Sequence, residues 1–255
     1  MAERVEAIAI AGLGEIVPGD DLPALIAAAL AAATDLLPLL DDDVLVVTQK
    51  IVSKAEGAIV DLTTIRPSPV ATEFARRFER DARQVEVVLR EAKRVVRMVN
   101  GVIITETHHG FVCANGGIDA SNVGPASGSI VTLLPRDPDA SADAIRAALR
   151  ERLGQDLPVI VSDSFGRPWR FGIVDVAIGV SGMLPLEDLR GEPDADGRVM
   201  RSTVRAVADE LASTAELVLG KTAGRPLALV RGATFSRGEG RIADALIPGE
   251  MDLFR

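Results

Sequence analysis

Short apolar runs alternate along the chain with segments in which apolar residues recur at helical spacing. Residues 5–11 (VEAIAIA) read as a first strand, closed by a turn at Gly12-Leu13-Gly14. Asp20 and Asp21 stand where a helix N-cap belongs, ahead of an apolar helix over residues 22–33. Val44–Thr48 is a wholly apolar strand, of the kind buried on both faces. The charged stretch 70–98 has helical period, with Phe74, Phe78, Val85, Val88 and Leu89 forming an apolar stripe. It reads as a solvated helix pair, or alternatively as a lid or dimer arm. Residues 102–105 and 111–114 read as a hairpin, and Ser141 precedes a helix that ends on Gly154. Residues 159–162 and 174–180 read as buried strands, 204–219 as a helix ending at Gly220, and 227–230 as the last core strand. Irregular crossovers and the hairpin predict an α+β fold with mixed, largely antiparallel sheets rather than a doubly wound parallel sheet. No repeat, linker or domain break interrupts residues 1–255, so the expectation is a single catalytic region, either one elaborate domain or two interlocked lobes.

Composition narrows the picture. Hydrophobic residues make up 47% of the 255 and aromatics only 3%, with no Tyr and one Trp, which predicts an aliphatic core. The formal charge is −9, from 28 Lys plus Arg against 37 Asp plus Glu. Such a chain is no natural partner for nucleic acid or an anionic membrane surface. If it binds a polyphosphate, it does so locally, through metal ions, backbone N–H groups and a few placed cations. The lone cysteine, Cys113, excludes an internal disulfide and a Cys-Cys metal pair, and its neighbours Phe111, Val112 and Ala114 predict a buried, inert strand residue. The N-terminus lacks the basic region and apolar stretch of a signal peptide. The most apolar helical stretch, residues 24–33, is far short of the roughly 20 residues that span a bilayer. The expected location is the cytoplasm.

Four segments could carry chemistry. Asn115-Gly116-Gly117-Ile118-Asp119-Ala120-Ser121-Asn122 packs glycines, a carboxylate, a hydroxyl and an amide behind a strand. Glycines let a backbone approach a ligand, and Asp119 is a hard oxygen ligand suited to Mg²⁺ or Mn²⁺. The same residues also make an ordinary polar turn. In the second segment Asp163 and Ser164 follow an apolar strand, with Arg167, Trp169 and Arg170 clustered in a loop beyond. Carboxylate and hydroxyl together can hold metal and phosphate, although Asp163 could instead cap the next element. Gln49-Lys50 and Lys54 follow another strand, where a Lys can neutralise phosphate charge or simply sit in a solvated loop. Leu219-Gly220-Lys221-Thr222 looks like the end of a P-loop, but the earlier Gly is Ala215 and the segment closes a helix instead of opening one. His108 and His109 are adjacent, which points them apart on a strand and places them in a hairpin turn. The run Asp41-Asp42-Asp43 reads as a solvated turn. No Ser-His-Asp or Cys-His arrangement is visible.

VVTQKIVSKAEG, GGIDASNVG, VIVSDSFGRPWRFG, AIGVSGM, VADELAS, LGK and ALVRG follow one another in the order and rough spacing of the coenzyme F420-0:L-glutamate ligases, which the chain resembles from about Gly12 to Gly232. The resemblance implies an F420 gamma-glutamyl ligase-like fold in an intertwined homodimer, with the site near the subunit interface. It implies a GTP-dependent ligase that activates the terminal carboxylate of coenzyme F420-0, a deazaflavin phospholactate, as an acyl phosphate. The α-amine of L-glutamate then attacks, and later cycles add γ-linked glutamates. Mg²⁺ or Mn²⁺, two of them, serve the reaction, sometimes with K⁺. By position, Asp119 and Asp163 correspond to ligands of the first metal, and Ser164 to a hydroxyl on the second. Asn122 and Lys54 correspond to GTP contacts, Leu13, Gly14, Glu15 and Ile16 to the guanine-side loop, and Gln49 and Lys50 to a further nucleotide contact. Residues 219–226, opening with Leu219, Gly220, Lys221 and Thr222, match another nucleotide loop. Asp119, Asp163 and Lys54 are the expected catalytic set.

Two departures stand out. Some relatives carry an acidic residue at the position of Lys221, where it serves the second metal, and a protonated Lys cannot ligate Mg²⁺. Either that metal is held by fewer protein groups here, or Lys221 contacts phosphate. Gln49 and Lys50 stand where relatives often have small hydroxyl residues. Some relatives also carry a C-terminal flavin-binding domain, which is not expected here. Two other readings stay open: an amino-acid ligase acting on another phosphorylated acceptor, and a catalytically silent nucleotide-binding protein.

Overall fold

The computed structural model describes residues 4–36, 38–120 and 128–253. In chain order they form β1 (Glu6–Ile10), α1 (Leu22–Ala32), β2 (Val44–Thr48), α2 (Gln49–Ala55), β3 (Ile59–Asp61), α3 (Pro69–Phe78), α4 (Ala82–Glu91), β4 (Ala92–Val99), β5 (Val102–Thr107) and β6 (Val112–Ala114). Then come β7 (Ile130–Thr132), α5 (Pro138–Leu153), β8 (Val159–Arg167), β9 (Arg170–Ser181), β10 (Glu187–Asp188), β11 (Val204–Arg205), α6 (Val207–Leu219) and β12 (Leu227–Arg231).

The main sheet has the order β1-β12-β2-β8-β9. Its pairs are antiparallel except β2 with β8, which run parallel. β4, β5 and β6 form a separate antiparallel sheet, and β3–β7 and β10–β11 are two-stranded. The fold is therefore α+β with mixed and antiparallel sheets. The apolar runs 44–47 and 159–161 are fully buried, as strands covered on both faces must be. α5 packs on α1, β8 and β9, while α6 packs on β9, β1 and β12. The large core is almost wholly aliphatic, with Phe111 its one buried aromatic among the described residues. A smaller cluster of Ala71, Phe74, Ala75, Val85, Val88 and Ile103 lies beneath α3 and α4.

β9 is an edge strand whose free N–H groups need partners. Carboxylates from the flanking helices supply them: Glu216 accepts from the Asp175 N–H at 2.9 Å, Asp209 from Ala177 at 2.9 Å, and Asp139 from Val180 at 2.7 Å. Burial raises the pKa values of Asp139 and Asp209.

Several boundaries differ from the sequence reading. The helical period over 70–98 gives two helices, and the stretch from Ala92 is the strand β4. Glu79 ends α3 in the left-handed region at φ 53°, and Asp81 caps α4. Val95 and Val96 favour a pleated surface, and Asn100 and Gly101, both at positive φ, make the tight turn into β5. The helix expected after Ser141 starts at Pro138, because Asp137 accepts from the Ala140 N–H at 3.0 Å and Pro is at home in a first turn. The helix expected over 204–219 begins only at Val207, since Val204 and Arg205 pair with β10. Asp43 is not solvated. It is fully buried and holds Arg231 through two bonds of 2.7 Å. His108 and His109 do lie in a turn, and Cys113 is buried with its thiol pushed up to about 12, chiefly by desolvation and secondarily by Asp163. No helix of the described residues is long and apolar enough to cross a membrane.

Candidate active site

The parallel pair β2–β8 sets the position of the site. Thr48, the last residue of β2, pairs with Ser162 inside β8, and beyond this pair the two strands part. β2 turns directly into α2, which carries Lys50 and Lys54, while β8 continues with Asp163 and Ser164. Ligands gather at such carboxyl ends of parallel strands. Asp163 therefore does not end its strand, although its sequence context suggested that it would. The strand runs on to Arg167 and returns through β9, and the expected loop of Arg167, Trp169 and Arg170 is the tip of that hairpin.

Three more pieces converge here. Asp119, bridged to Thr132 beside β7, reaches Lys50, whose Nζ lies 2.7 Å from Asp119 Oδ2. Glu216 and Lys221 arrive from the end of α6. Asp175 is contributed by β9, where it faces Ser164 across the ladder.

Successive strand residues point to opposite faces, so Asp163 and Ser164 serve different neighbours. Ser162 and Ser164 both donate to Asp175, at 3.1 Å to Oδ2 and 2.6 Å to Oδ1. The Lys221 ammonium lies 2.9 Å from Asp175 Oδ1 and 2.6 Å from Glu216 Oε1, and it donates to the Ser164 hydroxyl. Asp163 accepts the Ser164 backbone N–H at 2.8 Å. Burial pushes its carboxyl up to about 7, the charges of Asp175 and Asp119 add to the rise, and Lys221 opposes it.

A second contact set adjoins the first along α2. The buried Lys54 binds Glu15 at 2.6 Å, which ties the loop of Leu13, Gly14, Glu15 and Ile16 to the helix that carries Lys50. Ile16 is buried; Leu13 packs against the main core. Gln49 is buried as well, and its Oε1 accepts from Ser53 at 2.7 Å. Leu219 belongs to the core, Gly220 takes φ 62° as the helix ends, and Thr222 is exposed. Asn122 and Ser121 lie outside the described residues.

The structure thus brings Lys50, Asp119, Asp163, Ser164 and Lys221 into one cluster, with Lys54 and Glu15 beside it. The sequence reading missed Asp175 and Glu216. Asp175 carried a signal, as the one acid inside the apolar run 174–180, whereas Glu216 looked like any acid on a helix.

Among the described residues no group of three or more His, Cys, Asp or Glu is arranged to hold a metal ion. Lys50 engages only one Asp119 oxygen, Oδ2, so Asp119 and Asp163 still fit a hard cation through their remaining oxygens, with water and phosphate oxygens completing its shell, as Mg²⁺ does on one or two carboxylates. The raised carboxyl of Asp163 is the observation that fits, since an adjacent cation would favour its ionised form. Asp175, Glu216 and Ser164 do not fit a second cation, because the Lys221 ammonium already lies among them.

Comparison with known proteins identifies the family. The family model described as F420-0:Gamma-glutamyl ligase matches residues 12–232. The chain is 44% identical over 254 residues to the coenzyme F420:L-glutamate ligase of Methanothermobacter thermautotrophicus, covering 98% of this chain and 99% of that protein. It is 46% identical to the protein of the same name from Methanopyrus kandleri, covering 93% and 92%. It is 44% identical to that of Methanocaldococcus jannaschii, covering 86% of each. With the match spanning the loop of Glu15, the helix of Lys50 and Lys54, both metal-ligand candidates and the α6 terminus, the chain belongs to the F420-0:gamma-glutamyl ligase family.

Proposed function

We propose that this chain joins L-glutamate to coenzyme F420-0 at the expense of GTP, forming an amide and, in later cycles, γ-glutamyl links. The observation that carries this reading is the convergence of Asp119, Asp163 and Lys50 at the open end of β2 and β8, with Lys54 one helical turn further along α2. The names of the relatives support the substrates.

The acceptor carboxylate attacks the γ-phosphorus of GTP, the bond to the β-phosphate oxygen breaks, and GDP leaves. The glutamate amine then attacks the acyl phosphate, loses a proton and releases inorganic phosphate. Phosphoryl transfer needs positioning and charge neutralisation more than a protein nucleophile. Lys50 and Lys54 supply fixed positive charge, and the Glu15–Lys54 pair holds the loop of residues 13–16 against the same helix. Asp119 and Asp163 would hold Mg²⁺ or Mn²⁺, which would neutralise charge on the transferred phosphoryl group. Asn122, outside the described residues, corresponds in sequence to a nucleotide contact of the family.

A homodimer is part of the proposal. Trp169, Phe171 and Ile173 project from the tip of the β8–β9 hairpin, and Phe171 is 105% exposed. Exposed apolar patches of this kind mark interaction surfaces. Sedimentation of the wild-type chain against a Phe171→Ser, Ile173→Ser variant tests it: a wild-type monomer refutes the dimer.

The activity test is direct. Protein, GTP, Mn²⁺, L-glutamate and coenzyme F420-0 should give a product heavier by one glutamyl unit, together with GDP and phosphate. No mass gain refutes the reading. A gain on another phosphorylated acceptor alone keeps the chemistry and changes the substrate.

A further inference from the structure

We infer that Lys221 is a tethered cation: its ammonium takes the place of one divalent ion, so that this active site works with a single metal bound by protein carboxylates. The inference rests on reading Asp119 and Asp163 as a metal site. The ammonium sits between Asp175 Oδ1 at 2.9 Å and Glu216 Oε1 at 2.6 Å and also donates to the Ser164 hydroxyl. Two carboxylates and a hydroxyl are the hard oxygen donors that Mg²⁺ and Mn²⁺ prefer. Here those donors meet a permanent charge on a flexible stem, which coordinates nothing but satisfies them through hydrogen bonds.

Geometry and charge agree. Ser164 and Asp163 are neighbours on β8 and point to opposite faces, so the Lys221 pocket and the Asp119–Asp163 pair are two cation positions on two sides of one strand. The four carboxylates of Asp119, Asp163, Asp175 and Glu216 face the two ammonium groups of Lys50 and Lys221. With Asp163 ionised by a bound cation, that leaves two negative charges, matched by one divalent ion. The pocket is also braced from behind: Glu216 is fixed by the Asp175 N–H, Asp175 is bonded by Ser162 and Ser164, and the Ser213 hydroxyl holds the Asp175 carbonyl at 2.7 Å. Lys221 therefore acts as a positioning residue, orienting Asp175 and Ser164 and placing a positive charge close to Asp163.

The test counts metal ions and needs neither nucleotide nor acceptor, so it can fail while the ligase assay succeeds, and the reverse. Mn²⁺ alone is titrated into the purified wild-type chain, Lys221→Met and Lys221→Glu. Free Mn²⁺ is read by electron paramagnetic resonance, and circular dichroism checks the fold. The wild-type chain is expected to bind one Mn²⁺. Lys221→Glu, which exchanges the ammonium for a ligand, is expected to bind two. Lys221→Met is expected to bind the second at least tenfold more weakly than Lys221→Glu. A second Mn²⁺ on the wild-type chain within tenfold of the affinity in Lys221→Glu overturns the inference, as does a count unchanged in both variants.

Discussion

Replacing Asp163 with Asn should stabilise the metal-free protein while removing its function. The folded chain holds this carboxyl at about 7 against an ordinary value of 3.8, because burial and the nearby Asp175 and Asp119 disfavour the charge. At about 1.36 kcal/mol per pH unit, a rise of that size corresponds to an upper limit of about 4 kcal/mol lost to keeping Asp163 ionised in the fold. Between the two values the unfolded chain has released the proton that the folded chain keeps, so stability falls as pH rises. The cost is absent below 3.8 and complete above about 7. Asn cannot ionise, yet its carbonyl can still accept the Ser164 N–H. From about pH 5 to about pH 8, wild-type stability should therefore drop by roughly 2–3 kcal/mol more than that of Asp163→Asn. Urea unfolding in EDTA, followed by circular dichroism at both values, measures the difference, and titrating groups remote from Asp163 cancel between the two proteins. The same variant should bind Mn²⁺ weakly and lose ligase turnover. A stability difference that does not change with pH would refute the placement of Asp163 in a desolvated acidic cluster, and normal turnover would remove it from the metal site.

Three further outcomes follow from the structure. Asp43→Ala leaves Arg231, at the end of β12, with only the Leu36 and Pro38 carbonyls and should cost about 3–5 kcal/mol in urea unfolding, as breaking one side of a buried ion pair does. Gly179→Ala would place a Cβ 2.4 Å from the Pro138 backbone carbon, where α5 meets β9, and should lower stability by at least about 1–3 kcal/mol; an unchanged unfolding midpoint would contradict that close approach. The Cys113 thiol, pushed up to about 12, should ignore Ellman's reagent in the folded protein near neutral pH and react fully once urea unfolds the chain.

Much of the frame was legible in the chain itself. Fully apolar runs such as 44–47 and 159–161 can be satisfied only by burial on both faces, and the scarcity of aromatics dictated an aliphatic core. Local chemistry also placed Asp21 as the cap of α1 and His108 and His109 in a turn. Some signals were present but outweighed: Asn100-Gly101 announces a hairpin, yet the helical period upstream concealed β4. Pairing across distance could not be read. Asp43 looks solvated until Arg231 arrives from the far end of the chain, and Asp163 reads as a strand end until β9 extends the ladder past it. Lys221 is the clearest case. Its residue type said only that it would not ligate a metal. That it lies among Asp175, Glu216 and Ser164 depends on β8, β9 and α6 packing together, because side-chain charge is a local property of sequence whereas the company each charge keeps is set by the tertiary fold.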